Sequence, residues 1–295
     1  MNDNDVLSKA KDYIYRNARL IDRRRYEYWF EGGSKEAVIQ ALGAYQNEDG
    51  GFGHALEPDI RCPYSQPVPT ELALAVMLEV QHTDLEMFRR LIDYLRKITL
   101  PEGGLPFVHK NVMEYPHAPW WSAERDDLPM MNPTGNILGM LWKQAFDPGV
   151  TDEDWFIRCV EYVWRTMDQE GQPTGYHEGI QWVNFLVNTP DQERAKPYLQ
   201  RLDEWLAQPG VIELDAHAEG YVQKVLDWAP TPDSYARKFV TDDVLEAHLD
   251  ALAEEQQEDG GWPITWPTVS PFVELEWRGY LTVERLKTLK AYGRI

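Results

Sequence analysis

Two cysteines in 295 residues, Cys62 and Cys159, are too few for a disulfide framework, and their scarcity fits a reducing compartment. Basic residues are also scarce: 29 Lys and Arg face 49 Asp and Glu, for a formal net charge of −20. A surface of that sign repels nucleic-acid phosphates and anionic lipid head groups, so a nucleic-acid partner is excluded. No apolar run reaches membrane-spanning length, and the opening MNDNDVLSKAKDY lacks the charged-then-apolar order of a signal peptide. The expectation is a cytoplasmic protein without an integral membrane segment. No run of alternating strand residues stands out, and no Gly/Ser linker or charge block divides the chain. One domain over 1–295 is therefore expected.

What the chain has is helical periodicity ending in glycine. Residues 34–46 open on Ser34 as an N-cap, set Ala37, Val38, Ala41, Leu42 and Tyr45 on one face, and stop before Asp49-Gly50-Gly51. The same order returns at 86–100, 152–168, 193–208 and 241–257, each closed by a glycine signal. Each stop leads through an irregular stretch to a further apolar helix, over 70–81, 133–145, 178–188, 218–228 and 279–291. Recurrence at this scale marks stacked supersecondary units. Five helical hairpins follow, with an opening helix near 5–20 that can pair with the last and close a ring.

The stops also share wording. QNEDGGFG at 46–53 and QQEDGGWP at 256–263 are two copies of Gln-x-x-Asp-Gly-Gly-aromatic, carried by Gln46, Asp49, Gly50, Gly51, Phe52 and by Gln256, Asp259, Gly260, Gly261, Trp262. Glycines permit a sharp reversal, Asp caps it, and the aromatic ring fills the gap between neighbouring hairpins. This phrase resembles the QW-type repeat of the terpene cyclase and protein prenyltransferase superfamily. The resemblance implies an all-α fold, an α/α toroid: a closed ring of about five to six hairpins, with a small-molecule ligand in its cavity. The superfamily's catalytic signatures are not carried. No Asp-x-Asp-Asp occurs, Asp126-Asp127 and Asp242-Asp243 are fragments of Asp-Asp-x-x-Asp, and Asp59-Ile60-Arg61-Cys62 has the wrong spacing for an Asp-x-Cys zinc pair.

In such a ring the segments joining outer to inner helices emerge at one end. Residues 53–70, 105–134, 172–181, 211–221 and 263–278 hold five of the seven histidines and 13 of the 20 prolines, an enrichment unlike that of ordinary solvent loops. His54, Glu57, Asp59 and Arg61 crowd into 53–63, where the first three suit acid/base work and a divalent metal is a weaker alternative. Glu213, Asp215, His217 and Glu219 alternate, and point one way if the segment is extended; the last three join the catalytic candidates. Trp120 and Trp121 are candidates for stacking on a sugar or lining an apolar chain, and Asn132, before Pro133, reads as a helix cap or a ligand contact. His177 and Glu178 open an inner helix, and Glu274, Glu276, Trp277 and Arg278 form a last group, with Trp277 and Arg278 as binding candidates. Arg23-Arg24-Arg25 reads as a solvated helix face. No metal centre is assigned, and the sequence names no cofactor.

Three readings remain. One is an enzyme acting on an isoprenoid or other apolar substrate; another is a carbohydrate-active hydrolase, epimerase or lyase; the third is a non-catalytic binding or scaffold protein.

Overall fold

The computed structural model describes residues 3–295. Twelve α-helices, three short 3₁₀ helices and one two-stranded pairing, Leu105–Pro106 (β1) with Pro129–Met130 (β2), make up the regular structure among the described residues, so the chain is all-α in class. It parts into two compact units. One is Lys35–Trp205; the other joins the chain up to Ser34 with Leu206–Ile295.

The Lys35–Trp205 unit holds α3 (Lys35–Gly43), α4 (Pro67–Val80), α5 (Leu85–Ile98), α6 (Met131–Lys143), α7 (Asp154–Glu170), α8 (Tyr176–Asn188) and α9 (Gln192–Leu206), whose last residue begins the other unit's span. α5 presents Phe88, Leu91, Ile92, Tyr94 and Leu95 as a buried stripe and is capped by Asp84, which accepts from the N–H groups of Glu86 and Met87 at 2.9 Å. Helices α4, α6 and α8 pack side by side with α6 in the middle. Gly139 makes the α6–α8 approach possible, because a Cβ there would lie 2.5 Å from the Asn184 carbonyl oxygen. Trp164, Trp182, Phe156 and Phe185 fill the core.

The second unit holds α1 (Asp3–Asn17), α2 (Leu20–Phe30), the single turn α10 (Val225–Trp228), α11 (Asp242–Glu254) and α12 (Pro271–Ala291). The opening helix expected near 5–20 thus breaks at Ala18 and Arg19, where Arg19 turns extended and its guanidinium meets Asp22 at 2.8 Å. The helix expected over 218–228 shrinks to α10. Gly220 is left-handed, Glu213 and Asp215 accept local N–H groups, and Glu213 N–H bonds the Gln223 carbonyl, so side-chain and loop bonds replace helical ones. The arginine run is not a solvated face throughout: Arg25 is buried, with Asp22 and Glu284 as its ionic partners.

The repeated phrase has one structure in each unit. Gln46 Nε2 donates to the Gly50 carbonyl and to the Met87 carbonyl of α5, at 3.0 and 2.9 Å. Gln256 Nε2 donates to the Gly260 carbonyl and to the Val6 carbonyl of α1, both at 3.0 Å. Asp49 and Asp259 each accept the N–H two residues on at 3.1 Å, and the aromatic N–H bonds a threonine on the following helix, Phe52 to Thr70 of α4 and Trp262 to Thr282 of α12. A third turn, at Glu102-Gly103-Gly104-Leu105, repeats the last contact through Thr134. In all three turns a glycine at positive φ (Gly50, Gly103, Gly260) rests on a carbonyl of another helix: Arg90 of α5, Arg158 of α7 and Lys9 of α1. The first helix therefore stands, for α11–α12, where α5 stands for α3–α4. Gly171 and Gly210 also have positive φ but meet no neighbouring atoms, so those two stops end helices without making this contact.

Candidate functional site

Helices α4, α6 and α8 of the Lys35–Trp205 unit bring a set of neutral amides onto one carboxyl. α8 places His177, Gln181, Asn184 and Asn188 at spacings of four, three and four, which is one helix face. α6 adds Asn132 and Asn136, and α4 adds Glu71. Asn136 Nδ2 donates to Glu71 Oε1 at 2.6 Å, and Asn184 Nδ2 donates to Asn136 Oδ1 at 3.2 Å. Asn188 Nδ2 donates to both the carbonyl and Oδ1 of Asn184 at 2.8 Å. Gln181 Oε1 accepts the Asn136 backbone N–H at 2.6 Å, while its Nε2 donates to Asn132 Oδ1 at 3.1 Å.

Glu71 is half-buried and set deep among these amides. Desolvation raises its carboxyl from the ordinary 4.5 to about 7, against the opposing donors Asn136 and Gln181. A carboxyl that changes charge near neutrality serves as either general acid or general base. Sequence reasoning passed over it, because Glu71 sits second in TELALAVMLEV, where it reads as one polar position on an apolar helix. The hint available was the run of amides on the two partner helices.

Asn132 joins this cluster, and its extended conformation with Pro133 entering the helix fits the expected start of α6. Glu178 lies one turn before Gln181. Its Oε2 accepts the Thr174 N–H at 2.8 Å and the Thr174 hydroxyl. Burial and the Glu178 carboxyl together push neighbouring Glu170 up to about 8. Burial also works to raise Glu178, but the contacts from Glu170 and Thr174 outweigh it and hold it below the usual carboxylate range. His177 is lowered by burial.

The 53–66 and 107–126 segments fold onto each other. Ile60, Cys62, Val108 and Val112 form a small core, covered by Phe107, Tyr115, Trp121 and Ala123. Trp121 packs on Phe107 at 5.0 Å, which leaves Trp120 as the exposed member of the pair. Glu57 and Asp59 are buried, and the Asp59 carbonyl accepts the Ala118 N–H, so this segment braces the long loop. His54, at positive φ, lies 2.9 Å from Asn47 Oδ1. The Tyr94 hydroxyl lies 3.1 Å from His109 Nε2, and Asp126, which accepts the Lys110 N–H at 2.6 Å, lies 3.7 Å from the other ring nitrogen.

In the second unit Asp215, His217 and Glu219 are exposed, and the Asp215 carboxylate accepts the His217 N–H at 2.9 Å in a local turn. Extended alternation is thus not adopted. Arg278 is engaged by Asp259 at 2.7 Å and the Trp262 carbonyl at 3.2 Å, which makes it part of the repeated turn. Trp277 stands perpendicular to Trp266 and Tyr280, at 5.2 and 5.7 Å. Among the described residues, no group of three or more His, Cys, Asp or Glu is placed to hold a metal ion, and no helix is long and apolar enough to cross a membrane.

No protein-family model matches the chain, and no curated protein matches it. Among solved structures it is similar to the crystal structure of a protein from Actinoplanes, with a TM-score of 0.58 and 13% identity over 98% of this chain and 99% of that one. At that identity the likeness is one of fold alone.

Proposed function

We propose that this protein is an enzyme acting on a neutral, hydroxyl-rich substrate such as a carbohydrate, with Glu71 as its acid/base group. The observation that carries the reading is the pairing of one carboxyl titrating near neutrality with Asn132, Asn136, Gln181, Asn184 and Asn188. Amides donate and accept, as hydroxyl groups do, and they bring no charge that an uncharged substrate would have to offset. An isoprenoid chain offers those amides no further hydrogen-bond partner. The aromatic series Tyr221, Trp266, Trp277 and Tyr280 favours the isoprenoid reading, since it offers an apolar wall in the other unit.

The architecture that suits either substrate is a closed α/α toroid, one domain of the terpene cyclase and prenyltransferase type. Its support is the turn built alike three times and the first helix standing in the place of the next outer helix. A cytoplasmic location accords with the scarce cysteines. The test is a thermal-shift and turnover panel of neutral oligosaccharides and prenyl diphosphates. Stabilisation by sugars that is lost in Asn136→Ala, with turnover lost in Glu71→Gln, is the expected result. Stabilisation by prenyl compounds alone would reverse the choice, and silence across the panel would favour a scaffold.

A further inference from the structure

Asparagine and glutamine side chains can turn either end toward a partner, and which end faces a carboxyl decides whether it favours the charged or the neutral form. Around Glu71 that choice is fixed by backbone atoms some way off. The Asn184 backbone carbonyl can only accept, so Asn188 must direct its Nδ2 there, and the same nitrogen reaches Asn184 Oδ1, each at 2.8 Å. With its oxygen so engaged, Asn184 turns Nδ2 to Asn136 Oδ1 at 3.2 Å, and Asn136 in turn can offer Glu71 only its Nδ2, at 2.6 Å. A second anchor works in parallel. The Asn136 backbone N–H can only donate, so it holds Gln181 Oε1 at 2.6 Å and leaves the Gln181 nitrogen for Asn132 and for Glu71.

We infer that Asn184 and Asn188 are positioning residues for Glu71: they hold the Asn136 amide with its N–H, not its carbonyl, against Oε1. This rests on the reading of Glu71 as the working group. The chain has one polarity from end to end, since every link donates toward the carboxyl. Burial alone drives a carboxyl toward permanent protonation, and a carboxyl that never ionises cannot act as a base. Donors held in place keep Glu71 cycling between both forms. The balance at Glu71 is burial against Asn136 and Gln181, with no charged neighbour contributing.

The experiment is a carbon-13 NMR titration of the Glu71 side-chain carboxyl in the full chain, with the Asn136 side-chain amide followed in the same samples. Wild type should titrate near 7. Asn184→Leu, which is neutral and close in shape, should move the midpoint up by about one unit, a tenfold change in proton affinity, and shift the Asn136 amide signals. Asn188→Leu should do the same to a smaller extent. Asn184→Asp should raise it further, because the new carboxylate takes the Asn136 N–H for itself and adds a negative charge. A folded Asn184→Leu variant with the wild-type midpoint would overturn the inference, as would a rise in Asn188→Leu exceeding that in Asn184→Leu. If the titration behaves as expected while the sugar panel stays silent, the positioning stands and the proposed substrate falls.

Discussion

Asn136 and Glu71 meet at 2.6 Å although 65 residues separate them, and their contact ties α6 to α4 at the carboxyl of the amide cluster. A buried carboxyl beside neutral donors is strained when charged and comfortable when protonated, and this sets how the molecule answers to pH.

Glu71→Gln should flatten the pH dependence of stability between about 4.5 and 7. The folded carboxyl titrates near 7 and the unfolded one near its ordinary 4.5, so within that window the folded state binds more protons. Stability therefore falls as pH rises through the window and levels off above it. Allowing for the water Glu71 still meets, the loss is on the order of 2 kcal/mol. Chemical denaturation at pH 5 and pH 8 checks it: wild type should lose stability between the two, whereas Glu71→Gln should lose clearly less.

Gly50→Ala, Gly103→Ala and Gly260→Ala should each cost more than about 3 kcal/mol, while Gly171→Ala should cost about 1 kcal/mol. All four glycines have positive φ, so the local backbone cost is shared. The difference lies in space: an added Cβ would come within 1.9 Å of the Arg90 carbonyl oxygen, 2.1 Å of that of Arg158 and 2.0 Å of that of Lys9, but meets nothing at Gly171. Equal losses at all four positions, read from urea midpoints, would show that φ and not the contact with the next helix governs these turns.

The two full copies of the turn were legible because glycine and aspartate act locally, and local geometry is written in adjacent residues. Their partners were not legible. The basic residue and tyrosine four positions on, Lys9 and Tyr13, Arg90 and Tyr94, Arg158 and Tyr162, lie against the two glycines of each turn, yet they sit on another helix and at other spacings in sequence. The start of α6 at Asn132 and Pro133 was legible because a helix start announces itself. Glu71 was missed because its meaning comes from Asn136 and Gln181, which only tertiary packing brings to it. Glu57 and Asp59 were legible as a charged group near a histidine, but their burial, and the backbone bond between Asp59 and Ala118, come from packing against the 107–126 segment.

Thr70→Val and Thr282→Val should each cost about 1–3 kcal/mol, and the serine variants much less. The threonine hydroxyl accepts the N–H of Phe52 or Trp262 at 3.0 and 3.2 Å, and itself donates to the carbonyl four residues earlier, Gln66 just before α4 or Arg278 within α12. Valine keeps the shape and strands a buried N–H, whereas serine keeps the hydroxyl. Thermal melts of the paired variants separate the two effects, and a serine variant as unstable as valine would point to the lost methyl group instead.

Arg25→Met should destabilise the chain by about 3–5 kcal/mol at pH 7, and by much less near pH 2. Arg25 is buried against Asp22 and Glu284, with its guanidinium 5.1 Å from the centre of the Tyr280 ring. Burial works to raise the Glu284 carboxyl, but the charges of Arg25 and Lys287 overcome it and hold it at about 2. The folded value is depressed, so the pair's contribution is full above the unfolded value near 4.5 and disappears as pH falls through about 2. Glu284→Gln should accordingly remove part of the acid-induced loss of stability between pH 4.5 and 2. A full denaturation series on wild type, Arg25→Met and Glu284→Gln decides the matter: parallel acid slopes in all three would mean that other carboxylates, and not this pair, carry the response to acid.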